Sequence, residues 1–158
     1  MDEPISYFPV AHGKAADEPT LTNLQKADFI RRLDIFSHAT VEELFRLAAI
    51  AREVRFAPQE VVFHEGDVGD AVYPVVQGRV ELSCSDKGVR EVVGPAQAFG
   101  LYSVLTREPR YATAKALEQT LALRIGGEEL YTLLSNNMEI VVSIFKHFAK
   151  SLGLNPRQ

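Results

Sequence analysis

The chain has one cysteine, Cys84, among its 158 residues, so no intramolecular disulfide can form and no CxxC metal or redox pair exists. That usage fits a reducing compartment and points to the cytoplasm. Long apolar runs are missing too. None approaches the roughly 20 residues a helix needs to cross a bilayer, and the opening MDEPISYFPVAHGKAADEPT has neither the basic start nor the apolar stretch of a secretory signal. No membrane partner is expected except through another chain. An excess of positive charge is also lacking: 17 Lys and Arg stand against 21 Asp and Glu, and they are scattered. Such a distribution makes no footprint for a phosphate backbone, so nucleic acid is not an expected partner. His12, His38, His64 and His147 share no spacing that suggests a metal. Ser83 and Ser103 have no nucleophile elbow around them. The Glu42-Glu43 and Glu128-Glu129 pairs read as solvated helix starts, where carboxylates complement the helix dipole. No catalytic residue, metal or cofactor is expected, and hence no enzyme.

What the chain has is apolar residue enough, 46%, for one core, and its length makes one domain the default. Residues 1–20 are rich in Pro, Asp, Glu and Ala without an apolar period and are expected to be a flexible tail. The domain is expected over 21–153, with 154–158 a second tail. From Leu21 to about Ile50 apolar residues recur at helical spacing: Leu24, Ile30 and Leu33, then Leu44, Leu47 and Ala48. Thr40 and Glu43 form a capping box for the second helix, hydroxyl and carboxylate each accepting from a free backbone N–H.

From Arg52 the period drops to two. Val54 and Phe56 alternate with polar neighbours. Short strands are then expected at Val61 to Phe63, Val72 to Val76, Val80 to Cys84, Val89 to Val93, Tyr111 to Ala116 and Leu121 to Ile125. Turn chemistry separates them, at Ala57-Pro58-Gln59, Glu65-Gly66-Asp67, Gln77-Gly78 and Ser85-Asp86-Lys87-Gly88. Many short, evenly spaced strands mean a sandwich, jelly roll or small barrel. Pro74 lacks a ladder donor and needs an edge or a bulge. After Gly126-Gly127 the helical period returns. Glu128 to Leu134 reads as a short helix, and Met138 to Leu152 as a longer one ending at Gly153. Its Ile140, Val141, Ile144, Phe145, Phe148 and Leu152 are expected on one face, docked on the roll or paired across a homodimer.

One segment sharpens the reading. Phe99 to Thr113 runs FGLYSVLTREPRYAT and resembles the phosphate-binding cassette of the cyclic nucleotide-binding domain family, found in bacterial transcription regulators, protein kinase A regulatory subunits and gated channels. Phe99, Gly100, Leu105, Pro109, Arg110, Ala112 and Thr113 fall on matching positions without a gap. LDIFSHATVEEL and FAPQEVVFHEGDVGDAVYPVVQGRVEL, with Gly66, Gly69 and Gly78 in place, extend the likeness from about Leu33 to Gly153. The resemblance implies a mainly β fold with flanking α-helices: a double-stranded β-helix or jelly-roll β-roll, with N-terminal helices and C-terminal hinge and lid helices. It also implies a regulatory domain whose ligand is cAMP or cGMP and whose effector, another chain or a region outside this one, is reached through the last helix.

A cyclic phosphodiester carries one negative charge into a semi-enclosed pocket and requires a cation plus aimed N–H groups. By the resemblance, Phe99, Gly100, Leu101, Tyr102, Arg110, Tyr111 and Ala112 form the ligand site, with Arg110 gripping the phosphate. Asp70 matches a carboxylate that orients this arginine in some members; a plain turn residue is the other reading. Two positions depart from the family. Leu101 stands where a glutamate accepts from the ribose 2′-hydroxyl. Losing a hydrogen bond to a charged acceptor forfeits roughly 1.5–3 kcal/mol, about 10- to 150-fold in affinity. Tyr111 replaces a small residue, and its phenol either fills the pocket or points outward along the strand. The alternative function is a divergent pseudo-binding domain that takes no cyclic nucleotide and serves protein interaction or oligomerisation. A cupin-like metalloenzyme shares the shape, but its His-rich motif is absent.

Overall fold

The computed structural model describes residues 20–86 and 88–153; the tails expected at 1–20, Thr20 apart, and at 154–158 lie outside them. Thr22 opens α1 (Asn23–Arg31), its hydroxyl accepting from the Gln25 N–H while the Gln25 side chain accepts from the Thr22 N–H. Thr40 and Glu43 open α2 (Val41–Ile50) by the same reciprocal cap, which satisfies donors that have no partner within the helix. A single 3₁₀ turn, Asp34–Phe36, lies between them.

The strands follow: β1 (Ala51–Phe56), β2 (Val61–Phe63), β3 (Ala71–Gln77), β4 (Val80–Cys84), β5 (Gly88–Val93) and β6 (Ala98–Phe99). A short helix, α3 (Leu101–Thr106), interrupts them before β7 (Thr113–Ala116) and β8 (Thr120–Gly126), and α4 (Gly127–Leu134) and α5 (Met138–Ser151) close the described chain. The strands form two four-stranded antiparallel sheets, ordered β1-β8-β3-β6 and β2-β7-β4-β5. Early strands pair with late ones, so the chain doubles back on itself as a roll: mainly β, with helices at both ends, as expected. The strand expected from Tyr111 starts only at Thr113, and β6 is too short to leave an alternation in the sequence. Pro74 sits opposite Ala98 of the two-residue β6, and the β3–β8 register shifts between Val75 and Gln77, which supplies the irregularity a proline needs.

Two apolar clusters fill the fold. One lies inside the roll, around Phe56, Tyr73, Val80, Leu82 and Phe99. The other, around Ile30, Leu47, Leu123, Ile125, Leu130 and Ile140, packs the helices against the outer face of β1 and β8. Those two strands are therefore covered on both faces over most of their length, and of the polar residues of β1 only Arg52 reaches solvent, where simple alternation would have Glu53 or Arg55 do so as well. Glu53 and Arg55 are both buried, Arg55 Nη2 donating to Glu53 Oε1 at 3.2 Å. The same carboxylate accepts from the Thr20 N–H at 3.1 Å, the Thr20 hydroxyl at 2.7 Å and the Leu21 N–H at 2.6 Å.

The apolar residues of α5 divide where one face was expected. Ile140 and Ile144 are buried and Phe148 is half-buried, whereas Phe145 and Leu152 are 74% and 75% exposed, with Met138 at 70%. At 3.6 residues per turn these are two adjoining stripes, and only the first meets the body of the domain.

Candidate functional site

The segment from Phe99 to Ala112 folds into a tight loop around one arginine. Gly100 caps α3 with φ +90°; a Cβ there would lie 2.8 Å from Arg110 Nη1 and 3.1 Å from the Ala71 carbonyl oxygen. Glycine is thus required both by conformation and by space. Gly69 is required by space alone, since a Cβ there would lie 2.4 Å from Ser103 Cβ. The turn before β3 consequently rests directly on α3. Backbone hydrogen bonds stitch the same turn to the arginine, Arg110 N–H donating to the Asp67 carbonyl and Gly66 N–H to the Arg110 carbonyl, each at 2.8 Å.

The side chain of Arg110 is buried. Its Nη1 donates to the Gly100 carbonyl and its Nη2 to the Ala71 carbonyl, both at 2.7 Å, and the guanidinium lies 4.0 Å above the Phe63 ring, a favourable cation–π geometry. Among the described residues its Nε has no hydrogen-bond partner. Burial pulls the Arg110 pKa below the ordinary arginine value, while Tyr73, Asp70 and Asp67 oppose the shift. Asp70 stands 3.9 Å from Arg110 and closer, at 3.2 Å, to Arg124. It is shared between two cations and not dedicated to one.

The other expected residues separate by role. Phe99 stacks on Tyr73, centroids 5.2 Å apart, and approaches Phe63 at 5.8 Å, so it belongs to the floor of the roll. Leu101 is buried among the helical core residues, with Ile35 and Val104 in the same cluster. Tyr102 is exposed; its hydroxyl donates to Glu108 Oε1 at 3.2 Å, which pushes its pKa up. Tyr111 is also partly exposed, its ring edge-on to Tyr102 at 5.9 Å. It neither fills the pocket nor leaves it, because it lines both cavities of the site.

Those cavities differ greatly in size. Around Arg110, between Gly100, Ser103, Ala112, Phe63 and Leu82, the space is about 10 Å³, room for one water. Next to it a cavity of about 480 Å³ is walled by Leu82, Glu91, Val93, Phe99, Leu101 and Tyr111, a volume typical of small-molecule sites. Its far wall is made by Arg32, Asp34, His147 and Phe148, none of which the sequence singled out for a site. No local pattern marks them, since they meet only when α5 packs beside the 3₁₀ turn. Asp70 and Tyr102 line neither cavity. No group of three or more His, Cys, Asp or Glu side chains suited to a metal occurs among the described residues, and no described helix is long and apolar enough to cross a membrane.

Comparison with known proteins bears on this site. Residues 53–137 match the family described as the cyclic nucleotide-binding domain. The cyclic AMP receptor protein of Thermus thermophilus is 33% identical over 102 residues, 61% of this chain and 47% of that protein. The chain spans only between 28% and 47% of the first curated relatives it matches. Among solved structures, the N-terminal domain of a transcriptional regulator from Streptomyces coelicolor is 32% identical with a TM-score of 0.67, covering 79% of this chain and 92% of that one. The regulatory domain of Toxoplasma gondii protein kinase A, crystallised with cAMP, shares the fold at a TM-score of 0.68 and 22% identity over 74% of this chain and 46% of that one.

Proposed function

This chain belongs to the cyclic nucleotide-binding domain family, and we propose that it is a regulatory, non-enzymatic module of the cytoplasm. In this reading it binds cAMP or cGMP over residues 21–153 and converts binding into movement of its C-terminal helix. The observation that carries the reading is Arg110: a buried guanidinium whose two Nη groups are fixed on carbonyls, whose Nε has no hydrogen-bond partner among the described residues, and which lines the small cavity. A buried cation held this way is pre-organised for a singly charged anion.

A phosphate is larger than the 10 Å³ beside Arg110, so capture moves the Gly100 and Tyr111 walls apart. That displaces α3. Tyr131 of α4 donates to the Leu105 carbonyl at 2.7 Å, and Leu101 is packed in the helical core with Ile140 and Ile144. Motion of the cassette is therefore passed to the hinge helix and then to α5, a population shift driven by differential contacts. The test is thermal unfolding with and without millimolar cAMP and cGMP. A ligand that binds only the native state raises the midpoint by mass action, by about 2.7 kcal/mol of stability at a hundredfold excess over Kd. A rise of several degrees is expected with at least one nucleotide, and no rise with either overturns the reading.

Leu101→Glu tests where the ribose sits. Restoring the acceptor is expected to tighten cAMP binding by about 10- to 150-fold, measured by calorimetry. The carboxylate also enters a position only 6% exposed, so the midpoint of the free protein is expected to fall. No gain in affinity would mean that the 2′-hydroxyl does not face Leu101.

A second reading, a pseudo-binding domain serving protein interaction or oligomerisation, is favoured by the outer stripe of α5. Met138, Phe145 and Leu152 recur at spacings of seven and are exposed, the seam of a helix pair. Phe145→Ser is expected to change stability by less than about 0.5 kcal/mol while lowering the mass seen in sedimentation at high concentration, the stripe being covered by a second copy of the chain. An unchanged mass would leave the stripe without a role in self-association.

A further inference from the structure

The larger cavity has ends of different chemistry. Phe99, Leu101 and Tyr111 wall the cassette end, whereas Arg32, Asp34 and His147 stand at the other. The second group is also where α5 is tied to the N-terminal helices. Asp34 Oδ2 lies 3.6 Å from Lys150 Nζ and 3.9 Å from His147 Nδ1, and the Ser143 hydroxyl donates to the Asp34 carbonyl at 3.3 Å. Both ionic contacts exceed hydrogen-bond length, and the Asp34 side chain is 62% exposed, so the latch is weak. The carboxylate keeps acceptor capacity for another donor. The other charged groups at this end are Arg32, whose Nη2 donates to Asp28 Oδ2 at 3.0 Å, and Glu91 on the opposite wall.

We propose that Asp34 selects the ligand by the edge of its base, and that the selected base competes with α5 for this carboxylate. The proposal rests on the cyclic nucleotide reading above. A nucleotide with its phosphodiester at Arg110 and its ribose against the cassette directs its base along the cavity toward Asp34. A carboxylate only accepts hydrogen bonds. Guanine presents two adjacent N–H donors on one edge and matches both oxygens. Adenine presents one amine beside a ring nitrogen that is itself an acceptor, and that nitrogen faces the carboxylate unfavourably. At so exposed a site the preference for cGMP over cAMP is of the order of five- to tenfold. Because the same oxygen holds Lys150 and His147, the bound guanine loosens this latch in addition to the movement that either nucleotide passes to α5 through the cassette.

Calorimetric titration of the wild-type chain and of Asp34→Asn with both nucleotides decides the matter, with backbone hydrogen exchange of α5 as a second readout. Expected are a cGMP preference in the wild type, its collapse to within twofold in Asp34→Asn with cAMP affinity kept, and exchange in α5 that is faster with cGMP than with cAMP in the wild type but not in Asp34→Asn. Asp34 is exposed, so the amide variant is expected to fold, which its unfolding midpoint verifies. Equal affinities in the wild type, a preference that survives in Asp34→Asn, or α5 exchange no faster with cGMP than with cAMP each overturns the proposal while cyclic nucleotide binding stands. Failure of both nucleotides to bind the wild type removes that reading, and this proposal with it.

Discussion

Arg110→Ala is expected to abolish the ligand-dependent rise in unfolding temperature and to destabilise the free protein as well. The second effect follows from the geometry without any ligand. The side chain makes two charge-assisted hydrogen bonds at 2.7 Å to the Gly100 and Ala71 carbonyls and covers the Phe63 ring. Hydrogen bonds to a charged group are worth about 1.5–3 kcal/mol each, so a loss of about 3 kcal/mol or more is expected. The first effect is larger in relative terms. Removing the cation that faces a buried monoanion is expected to weaken nucleotide binding by at least about two orders of magnitude, at the same magnitude per charged bond. Equilibrium dialysis well below the variant's own midpoint separates the two effects. A folded Arg110→Ala protein that binds like the wild type would show that the phosphate lies elsewhere, and Arg110 would then be a structural clamp on the cassette.

Glu53→Ala has the largest effect expected on stability alone. Its carboxylate and Arg55 are both 2% exposed, and truncating Glu53 removes the buried carboxylate to which Arg55 Nη2 donates. Breaking such a pair costs about 3–5 kcal/mol, which in a domain of this size lowers the midpoint by about 6–20 °C. The change also frees the Thr20 and Leu21 donors that Glu53 gathers, so the entry of the chain into α1 is loosened. Replacing both Glu53 and Arg55 by methionine is expected to restore much of the loss, because two apolar side chains of similar volume avoid the desolvation that the ions suffer. A Glu53→Ala midpoint within a degree or two of the wild type would mean that the pair barely offsets its own burial.

Parts of this molecule were legible without coordinates because their causes are local. Thr40 and Glu43 cap α2 through groups three residues apart. The turns at 57–59 and 77–78 and the change of period near Arg52 follow from the residues themselves. The cassette is equally local: Gly100, Pro109 and Arg110 sit within eleven residues, and their spacing alone marks the loop that the chain then folds. β6 was not legible, since two residues carry no period.

The remainder depended on which distant segments the fold presses together. Leu101 reads in sequence as a missing acceptor, yet it is also a core residue of the helical layer. Glu53 and Arg55 read as the outward half of an alternating strand and are buried, because the segment before α1 crosses over β1. The apolar residues of α5 follow one helical period, but only the stripe against the domain is covered, and a period cannot say how wide the neighbour is. The far wall of the cavity is the clearest case: Asp34 comes beside His147 and Phe148 of α5 only once the roll has closed and α5 has docked, held there in part by the Ser143–Asp34 hydrogen bond between residues 109 apart. The sequence by itself determined the element order, the caps and the cassette, all set by interactions within a few residues. The tertiary structure decided which side chains face the cavity and which are buried, because burial depends on long-range packing that no local pattern encodes.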